Sequence, residues 1–231
     1  MISVCLATYN GERYIKEQLQ SILKQLAQKD EIIVVDDVST DHTVSIIQQL
    51  NDSRVKLFRN EHNLGPIKSF QKALEICIGD YIFLSDQDDV WLDEKVHKVL
   101  LCFEQHHAQL VVHDSIVTDA QLNTISNSWN LYNRNRFTSS WLLTVIKNPY
   151  TGANMAFTRS VIENTVPFPS KIPMHDSWLG AYCQKKGLRI DILSEALSLY
   201  RRHEDTVTGG SHKIIKMLMD RMLLFKALWR C

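Results

Sequence analysis

Strand-like and helix-like segments alternate through the first 90 residues, and this alternation constrains the fold more than any other feature. The segments between the apolar runs carry apolar residues at helical spacing, as at Ile15, Leu19 and Ile22. Strand–helix–strand alternation is typical of a parallel sheet with helices on both faces. The chain is therefore predicted to be an α/β protein. The apolar runs that predict its strands lie at residues 2–7, 31–35, 55–58 and 81–84.

Three of these predicted strands end in polar clusters. Ligands in open α/β sheets bind where the carboxyl ends of the strands meet. We therefore expect the polar side chains to converge on one crevice, which would be the binding site. The clusters are Thr8-Tyr9-Asn10, Asp36-Asp37 and Asp86-Gln87-Asp88-Asp89.

The third cluster places three carboxylates within four positions, directly after a buried strand. Like charges a few Å apart repel by roughly 4 kcal/mol per pair at an effective dielectric near 20. Protonation relieves this repulsion, and so does Mg²⁺ or Mn²⁺, which binds oxygen ligands and keeps positions open for phosphates. The cluster therefore suggests a metal that holds a diphosphate. The alternative is a solvated loop in which Asp89 or Asp93 caps the next helix.

The second half of the chain has a less regular pattern. Residues 121–137 are rich in Asn and Ser and predict a loop. Gly152, near the start of a predicted strand, marks a bulge or a close backbone approach to a ligand. His113-Asp114 lies within a strand and is interpreted as structural. Further strands are predicted at 110–117, 150–157 and 188–200, and helices at 92–107, 141–146, 159–164 and 175–186.

Composition narrows the functional classes. The 231 residues suit one domain with a small extension, and the formal net charge of zero argues against nonspecific binding of nucleic acid. Five scattered cysteines without a CxxC pair are typical of reduced thiols in a cytoplasmic protein. Residues 1–8 lack the basic start of a signal peptide, and no run of 18 apolar residues predicts a membrane span.

The last stretch, Ile214–Trp229, predicts an amphipathic helix. Two interpretations stay open. The helix covers the core, or it makes a peripheral contact with an anionic membrane surface. Its basic residues are Lys213, Lys216, Arg221, Lys226 and Arg230.

The order of several motifs resembles family 2 glycosyltransferases, which have the GT-A fold. The resemblance covers residues 1–210. It implies a Rossmann-like, mixed and mostly parallel sheet with helices on both faces. The motifs are Ala7-Thr8-Tyr9-Asn10-Gly11-Glu12, Val34-Val35-Asp36-Asp37 followed by Ser39-Thr40-Asp41, Glu61-His62-Asn63-Leu64-Gly65, residues 79–91, and His175-Asp176-Ser177-Trp178.

Two segments look most like the bacterial rhamnosyltransferase-like branch, whose members build surface polysaccharides. They are the Asp86-Gln87-Asp88-Asp89-Val90-Trp91 form, and Tyr200-Arg201-Arg202-His203 with Val207-Thr208-Gly209. The resemblance also implies a division of the chain. Residues 1–110 would form the half that binds the nucleotide-sugar, residues 111–210 the half that binds the acceptor, and residues 211–231 the C-terminal amphipathic helix.

The resemblance implies roles for residues of the first half. Asp37, with Asp36 beside it, would accept a hydrogen bond from the pyrimidine imide, and Asp86 and Asp88 would form the DxD pair. Asp88 would bind Mg²⁺ or Mn²⁺. Three residues would line the nucleotide pocket: Thr8, Tyr9 and Glu12.

The resemblance also implies roles for residues of the second half. Asp176 matches the catalytic base of the family, although its position also suits the N-cap of the following helix. His203 would contact the diphosphate or the metal, and Gly152 and Asn154 would border the acceptor. Two more acceptor candidates are Arg202, which suits phosphate or lipid phosphate, and Trp178, which either stacks on a sugar or packs in the core.

Two positions depart from the family pattern. Ala7 stands where the family usually has Pro, and Val38 stands where it usually has Gly after the Asp-Asp pair. A β-branched residue resists positive φ. Either this turn has a different conformation here, or the nucleotide contacts at Asp37 shift.

Together the residues and the resemblance predict an inverting glycosyltransferase. It would move a sugar from dTDP-rhamnose or a UDP-sugar to a hydroxyl of a saccharide or lipid-linked acceptor, in the cytoplasm or at the inner face of the cell membrane. One alternative is a haloacid-dehalogenase-like phosphatase, whose Asp-x-Asp-x-Val loop Asp86 to Val90 fits, although it follows the fourth strand and not the first. The other is a noncatalytic protein that binds a glycan or nucleotide-sugar.

Overall fold

The computed structural model describes residues 1–203 and 214–231. One mixed sheet runs through the first of these two ranges. Its strand order is β3-β2-β1-β4-β8-β6-β9-β5, and β7 pairs with β6 beside this path. The strands are β1 (Ile2–Thr8), β2 (Glu31–Asp36), β3 (Val55–Arg59), β4 (Tyr81–Ser85), β5 (Val90–Trp91), β6 (Leu110–Thr118), β7 (Thr124–Ser126), β8 (Met155–Thr158) and β9 (Ile190–Arg201).

Strand direction brings the predicted polar clusters to one edge of the sheet. Strands β3, β2, β1 and β4 are mutually parallel, and Thr8 at the end of β1 lies opposite Asp36 at the end of β2. Strand β8 runs antiparallel to both β4 and β6, so β6 and its parallel neighbour β9 point the same way as β4. The carboxyl ends of β1, β2, β4, β6 and β9 therefore meet at one edge. The predicted mixed, mostly parallel sheet is confirmed.

Helices cover both faces of the sheet because neighbouring residues of a buried strand point to opposite sides. Val4 and Leu6 of β1 pack beneath α1, α2 and α4, whereas Cys5 faces the layer formed by α3, α7, α8 and α9. The helices are α1 (Ile15–Leu23), α2 (Thr43–Gln49), α3 (Pro66–Ile76), α4 (Lys95–His106), α5 (Trp129–Tyr132), α6 (Trp141–Ile146), α7 (Arg159–Thr165), α8 (His175–Lys185) and α9 (Ile214–Trp229).

The structure corrects two expectations about local structure. Strand β8 begins at Met155 and not at residue 150, because Gly152–Asn154 forms a 3₁₀ turn. The predicted loop at residues 121–137 contains β7 and α5. Asp114 of β6 orders this segment, since its carboxylate accepts hydrogen bonds from the Asn130 amide (3.0 Å) and the Ser128 hydroxyl.

The C-terminal helix α9 forms as the sequence predicts. The Val207-Thr208-Gly209 motif, Lys213 and the boundary placed between residues 210 and 211 lie outside the described residues. None of the helices in the described ranges combines the length and the apolar character that a membrane span requires.

Candidate active site

Gln87 joins the ends of β1 and β4 at the edge where the polar clusters meet. Its Oε1 accepts hydrogen bonds from the Thr8 hydroxyl (2.6 Å) and the Tyr9 amide (2.9 Å), and its Nε2 donates to the Tyr9 carbonyl (3.1 Å). Gly11 leaves room for this amide, because a Cβ there would lie 2.4 Å from Gln87 Oε1. The sequence places Gln87 between two aspartates but gives no sign of this joining role.

Asp88 and His203 come together although 115 positions separate them. His203 Nε2 lies 2.8 Å from Asp88 Oδ2, and the imidazole ring is 4.9 Å from the ring of Tyr14. Asp88 follows β4, whereas His203 follows β9. The two residues predicted to hold a metal are therefore adjacent at the carboxyl edge of the sheet.

Arg201 fixes the acidic loop from the end of β9. It is 4% exposed, and its main-chain amide donates to Asp89 Oδ1 (3.1 Å) while its Nε donates to the Asp88 carbonyl (2.8 Å). Its Nη2 forms an ion pair with Glu17, and the guanidinium lies 4.6 Å from the centre of the Tyr14 ring. Arg201 therefore shapes the loop.

Burial raises the pKa of two carboxyl groups in the acidic cluster. Burial, followed by the charges of Asp88 and Asp176, raises the pKa of Asp86 to about 7. Burial, followed by the charges of Asp88 and Asp86, raises the pKa of Asp89 well above its ordinary value. Asp176 therefore lies close enough to Asp86 for their charges to interact.

Lys95 supplies a buried positive charge beneath this cluster. Its side chain is 1% exposed, its Nζ donates to the Ala153 carbonyl (3.1 Å), and the same atom lies 4.1 Å from the centre of the Trp91 ring. Burial lowers its pKa to about 7, while the charges of Asp89 and Asp86 act in the opposite direction. The one sequence feature that could have indicated this role is that the lysine lies beside the apolar face of α4.

The donor set fits a hard divalent cation. Asp89 Oδ2 is buried and accepts no hydrogen bond from any residue in the described ranges. Carboxylate oxygens beside one imidazole nitrogen match the preference of Mg²⁺ and Mn²⁺ for oxygen-rich sites. A second group of potential ligands has its atoms within 4.8 Å of one another at the opposite edge of the sheet: Cys102, His106 and Asp191.

Asp176 is the second residue of α8, and Met174 occupies the N-cap position. The N-cap alternative for Asp176 is therefore wrong. Its Oδ1 accepts hydrogen bonds from the Ser177 amide (2.5 Å) and the Asn148 side chain (3.3 Å). Burial is the largest influence and raises the pKa of Asp176 to about 7, although these hydrogen bonds lower it. A carboxylate with this pKa suits general base catalysis near neutral pH.

Two of the four predicted acceptor residues are corrected by their burial. Trp178 is 2% exposed, packs in the core and donates from Nε1 to the Thr165 carbonyl (3.3 Å). Asn154 is also 2% exposed, and its Oδ1 accepts a hydrogen bond from the Ser115 hydroxyl (2.6 Å). Neither side chain faces solvent, so both residues stabilise the structure around the site.

The other two residues predicted to border the acceptor are Arg202 and Gly152. Arg202, directly after β9, donates to the Tyr132 hydroxyl (2.9 Å). Gly152 approaches His175 closely, because a Cβ on Gly152 would lie 2.7 Å from His175 Nε2. The close approach expected at Gly152 is thus made to a side chain of the protein.

Asp37 holds the turn that follows β3. Its carboxylate accepts hydrogen bonds from the amides of Leu64 (2.9 Å) and Gly65 (2.7 Å) and from Asn60 Nδ2 (2.8 Å). Val38, next in the chain, has φ of +68°. The backbone at Val38 therefore keeps the left-handed conformation that glycine usually supplies. The explanation that this turn has a different conformation because of Val38 is wrong.

The remaining residues predicted to bind the nucleotide lie around the turn at Val38. Asp36 is fully buried and pairs with Arg59 Nε at 3.2 Å. The Glu12 carboxylate accepts a hydrogen bond from the His42 amide (2.9 Å). Tyr9 is 48% exposed and is the side chain of this group most open to an incoming base.

Comparison with known proteins places this geometry in a family. The model of glycosyl transferase family 2 matches residues 3–165, which is more than half of the chain. The dTDP-rhamnosyl transferase RfbG of Shigella flexneri is 27% identical over 218 residues, covering 89% of this chain and 74% of that protein. The UDP-Glc:alpha-D-GlcNAc-diphosphoundecaprenol beta-1,3-glucosyltransferase WfgD of Escherichia coli is 34% identical over 96 residues, covering 42% of this chain and 38% of that protein. The chain spans less than two thirds of the length of several curated relatives that it matches.

Solved structures show the same fold. Staphylococcus aureus TarS 1–349 in complex with UDP-GlcNAc superposes with a TM-score of 0.71 at 21% identity, covering 96% of this chain and 66% of that chain. The mannosyltransferase PcManGT of Pyrobaculum calidifontis, in complex with GDP-Man and Mn²⁺, superposes with a TM-score of 0.67 at 21% identity, covering 88% and 57%. The fold is GT-A, and the family match sets aside the phosphatase alternative. The chain belongs to glycosyl transferase family 2.

Proposed function

We propose that this chain is the catalytic domain of an inverting glycosyltransferase. It would transfer a sugar from a nucleoside diphosphate donor to a hydroxyl of a saccharide or lipid-linked acceptor, in the synthesis of a bacterial surface polysaccharide. One observation carries the proposal: Asp88 and His203, which follow β4 and β9, meet at 2.8 Å at the carboxyl edge of the sheet, where the strand directions bring the family's motifs together. A base and a diphosphate site in one crevice are what direct displacement at a sugar carbon requires.

The donor is assigned to the half formed by residues 1–110. Thr8, Tyr9 and Glu12 would surround the nucleotide, with Asp36 and Asp37 behind the turn at residues 63–65. The similarity to RfbG and WfgD, whose names specify dTDP-rhamnose and UDP-glucose chemistry, supports a dTDP- or UDP-sugar.

Asp88 and His203 would hold Mg²⁺ or Mn²⁺, with Asp86 and Asp89 beside them. When bound, the ion supplies a Lewis acid that stabilises the negative charge of the departing diphosphate. PcManGT carries Mn²⁺ with its sugar nucleotide, which supports a divalent ion at this edge of the fold.

Asp176 would act on the acceptor, which is assigned to the half formed by residues 111–210. As the acceptor oxygen forms its bond to the anomeric carbon, the Asp176 carboxylate takes the hydroxyl proton and the bond to the diphosphate oxygen breaks. Gly152 and Arg202 would border the acceptor. The name of WfgD specifies a diphosphoundecaprenol-linked acceptor, which supports a lipid-linked substrate at the cytoplasmic face of the membrane.

Calorimetric titration with UDP and with dTDP, each with and without Mn²⁺, tests the donor site. We expect one nucleotide to bind only when Mn²⁺ is present, and we expect Asp88→Ala to weaken this metal-dependent binding. Asp93→Ala is the matched control, because Asp93 follows the same motif but is exposed. If folded protein binds neither nucleotide under any of these conditions, the proposal is wrong.

A noncatalytic nucleotide-sugar-binding protein would pass the calorimetric test. Turnover of a radiolabelled donor onto membrane lipid extract distinguishes the two functions. Transfer would exclude the noncatalytic alternative, whereas metal-dependent binding without transfer or donor hydrolysis would support it.

A further inference from the structure

Helix α9 is attached to the domain by one side only. Leu224 and Leu228 are 2% and 0% exposed and join the core layer of α3, α7 and α8. At the end of the helix, Lys185 and Lys186 of α8 donate hydrogen bonds to the carbonyl oxygens of Leu228 and Cys231. The side chains of α9 that pack inward thus account for a small part of its apolar residues.

A stripe of exposed apolar residues runs along the other side of α9. Their spacing of three or four positions keeps them on one side of a helix with about 3.6 residues per turn, centred about 120° around the helix axis from Leu224 and Leu228. Trp229 is 71% exposed at one end and Ile215 is 72% exposed at the other. We call Ile215, Leu218, Met222, Phe225 and Trp229 the apolar stripe.

Cations border the apolar stripe along both edges. With about 100° between successive residues, Lys226 and Arg230 fall along one edge and Arg221 along the other, whereas Lys216 lies farther round the helix. Asp220 is the only acidic residue of the helix sequence, and it falls on the side away from the stripe. A hollow of about 350 Å³ is lined by apolar and cationic side chains together: Phe225, Lys226, Trp229 and Arg230.

Helix α6 extends the apolar surface. Its Trp141 ring stacks on Phe225, with 5.7 Å between the ring centres. Leu142, Leu143 and Ile146 of the same helix are about half exposed. The combined surface is therefore broader than a single helix stripe.

We propose that the apolar stripe of α9, with the exposed side of α6, docks the protein onto an anionic lipid surface. The cations beside the stripe, with Asp220 on the far side of the helix, complement the negative charge of an anionic lipid surface. Long basic side chains reach lipid phosphates while apolar neighbours enter the acyl boundary, and tryptophan favours that boundary. This surface belongs to the outer side of α9, and its binding does not rest on the proposed catalytic activity.

Sedimentation with vesicles tests the proposal on the chain itself. We expect binding to vesicles of phosphatidylcholine with phosphatidylglycerol, weaker binding to pure phosphatidylcholine, and loss of binding as salt is raised. Each basic residue near such a surface contributes roughly fivefold to affinity. Lys226→Glu with Arg230→Glu should therefore weaken binding at least tenfold. Lys24→Glu with Lys29→Glu, at exposed positions elsewhere, is the matched control and should leave most of the binding.

Replacing the apolar stripe tests its contribution separately from charge. Leu218→Gln, Met222→Gln and Trp229→Gln change exposed side chains to a helix-favouring residue, so the fold should persist, as circular dichroism would show. Vesicle binding should fall at least tenfold, whereas Ile78→Gln, an exposed apolar control on another surface, should bind normally. Absence of binding to anionic vesicles, or binding that the stripe variant retains, overturns the proposal. Self-association that the stripe variant abolishes, without vesicle binding, would instead assign the surface to a second copy of the chain.

Discussion

The surroundings of Asp176 raise the pKa of its carboxyl group. Asp176→Asn keeps the size and the hydrogen-bonding positions of the side chain but removes the proton-accepting charge. We expect transfer to fall by roughly 10²- to 10⁴-fold, the usual contribution of a general base, while metal-dependent nucleotide binding persists. Product chromatography measures the first and calorimetry the second. Full turnover in Asp176→Asn would contradict the assignment, and Asp93→Asn serves as the exposed control.

The raised pKa of Asp176 also predicts a pH dependence. Because its folded-state pKa is about 7, the carboxyl is protonated below that pH, and transfer at saturating metal should fall as the pH decreases through 7. The effect on stability runs in the opposite direction. A carboxyl whose pKa is raised by folding stabilises the fold below its unfolded pKa and loses that contribution as the pH rises through the folded value. Asp176→Asn should therefore be no less stable than the parent above pH 7, as thermal melts at several pH values would show.

At the scale of elements, the start of α8 depends on contact with the turn Gly152–Asn154. Gly152→Ala would place a methyl group 2.7 Å from His175 Nε2, so the buried His175 side chain must shift, which we expect to disturb the first turn of α8 that carries Asp176. A displacement near 1 Å can cost roughly 10²-fold in rate. We expect transfer to fall by about that factor with little change in nucleotide affinity, as steady-state kinetics and calorimetry would show.

Gly187, after the end of α8, is the matched control for this element. It has φ of +65°, and a Cβ there would contact nothing within 4 Å. Gly187→Ala should therefore lower stability by about 1 kcal/mol, through backbone conformation alone, and leave transfer unchanged. Equal loss of transfer in both variants would show that Gly152 has no special relation to the site.

At the scale of the whole molecule, the site joins strands from both ends of the chain. Thr8 is the last residue of β1, and His203 follows β9, so a bound metal–nucleotide complex should hold the folded sheet together. Ligand at about 100 times its Kd stabilises the fold by about 2.7 kcal/mol, which for a chain of this size raises Tm by roughly 5–10 °C. Differential scanning fluorimetry with the nucleotide that binds would measure this rise.

The metal dependence of that rise distinguishes the proposed site from a nonspecific effect. His203→Ala and treatment with EDTA should each remove most of the shift, whereas His97→Ala, at an exposed position on α4, should keep it. An undiminished shift in EDTA would contradict a metal held by Asp88 and His203.

The sequence by itself determined the features that depend on short-range order. Hydrophobic periodicity located the strands and helices of the first 90 residues, because each element must bury one face or stripe. The polar clusters at the ends of β1, β2 and β4 predicted one edge for the site, because parallel strands end together. The ordered motifs predicted the family that the comparisons confirm.

Only the tertiary structure decided which side chains meet. The contact between Asp88 and His203 and the anchoring of the acidic loop by Arg201 depend on the place of β9 in the sheet, and neighbouring residues carry no trace of that order. Lys95 and Trp178 have ordinary local sequences, yet packing buries one beside carboxylates and the other in the core. Burial depends on the whole fold, so pKa shifts and access to the site follow from the three-dimensional arrangement and not from spacing along the chain.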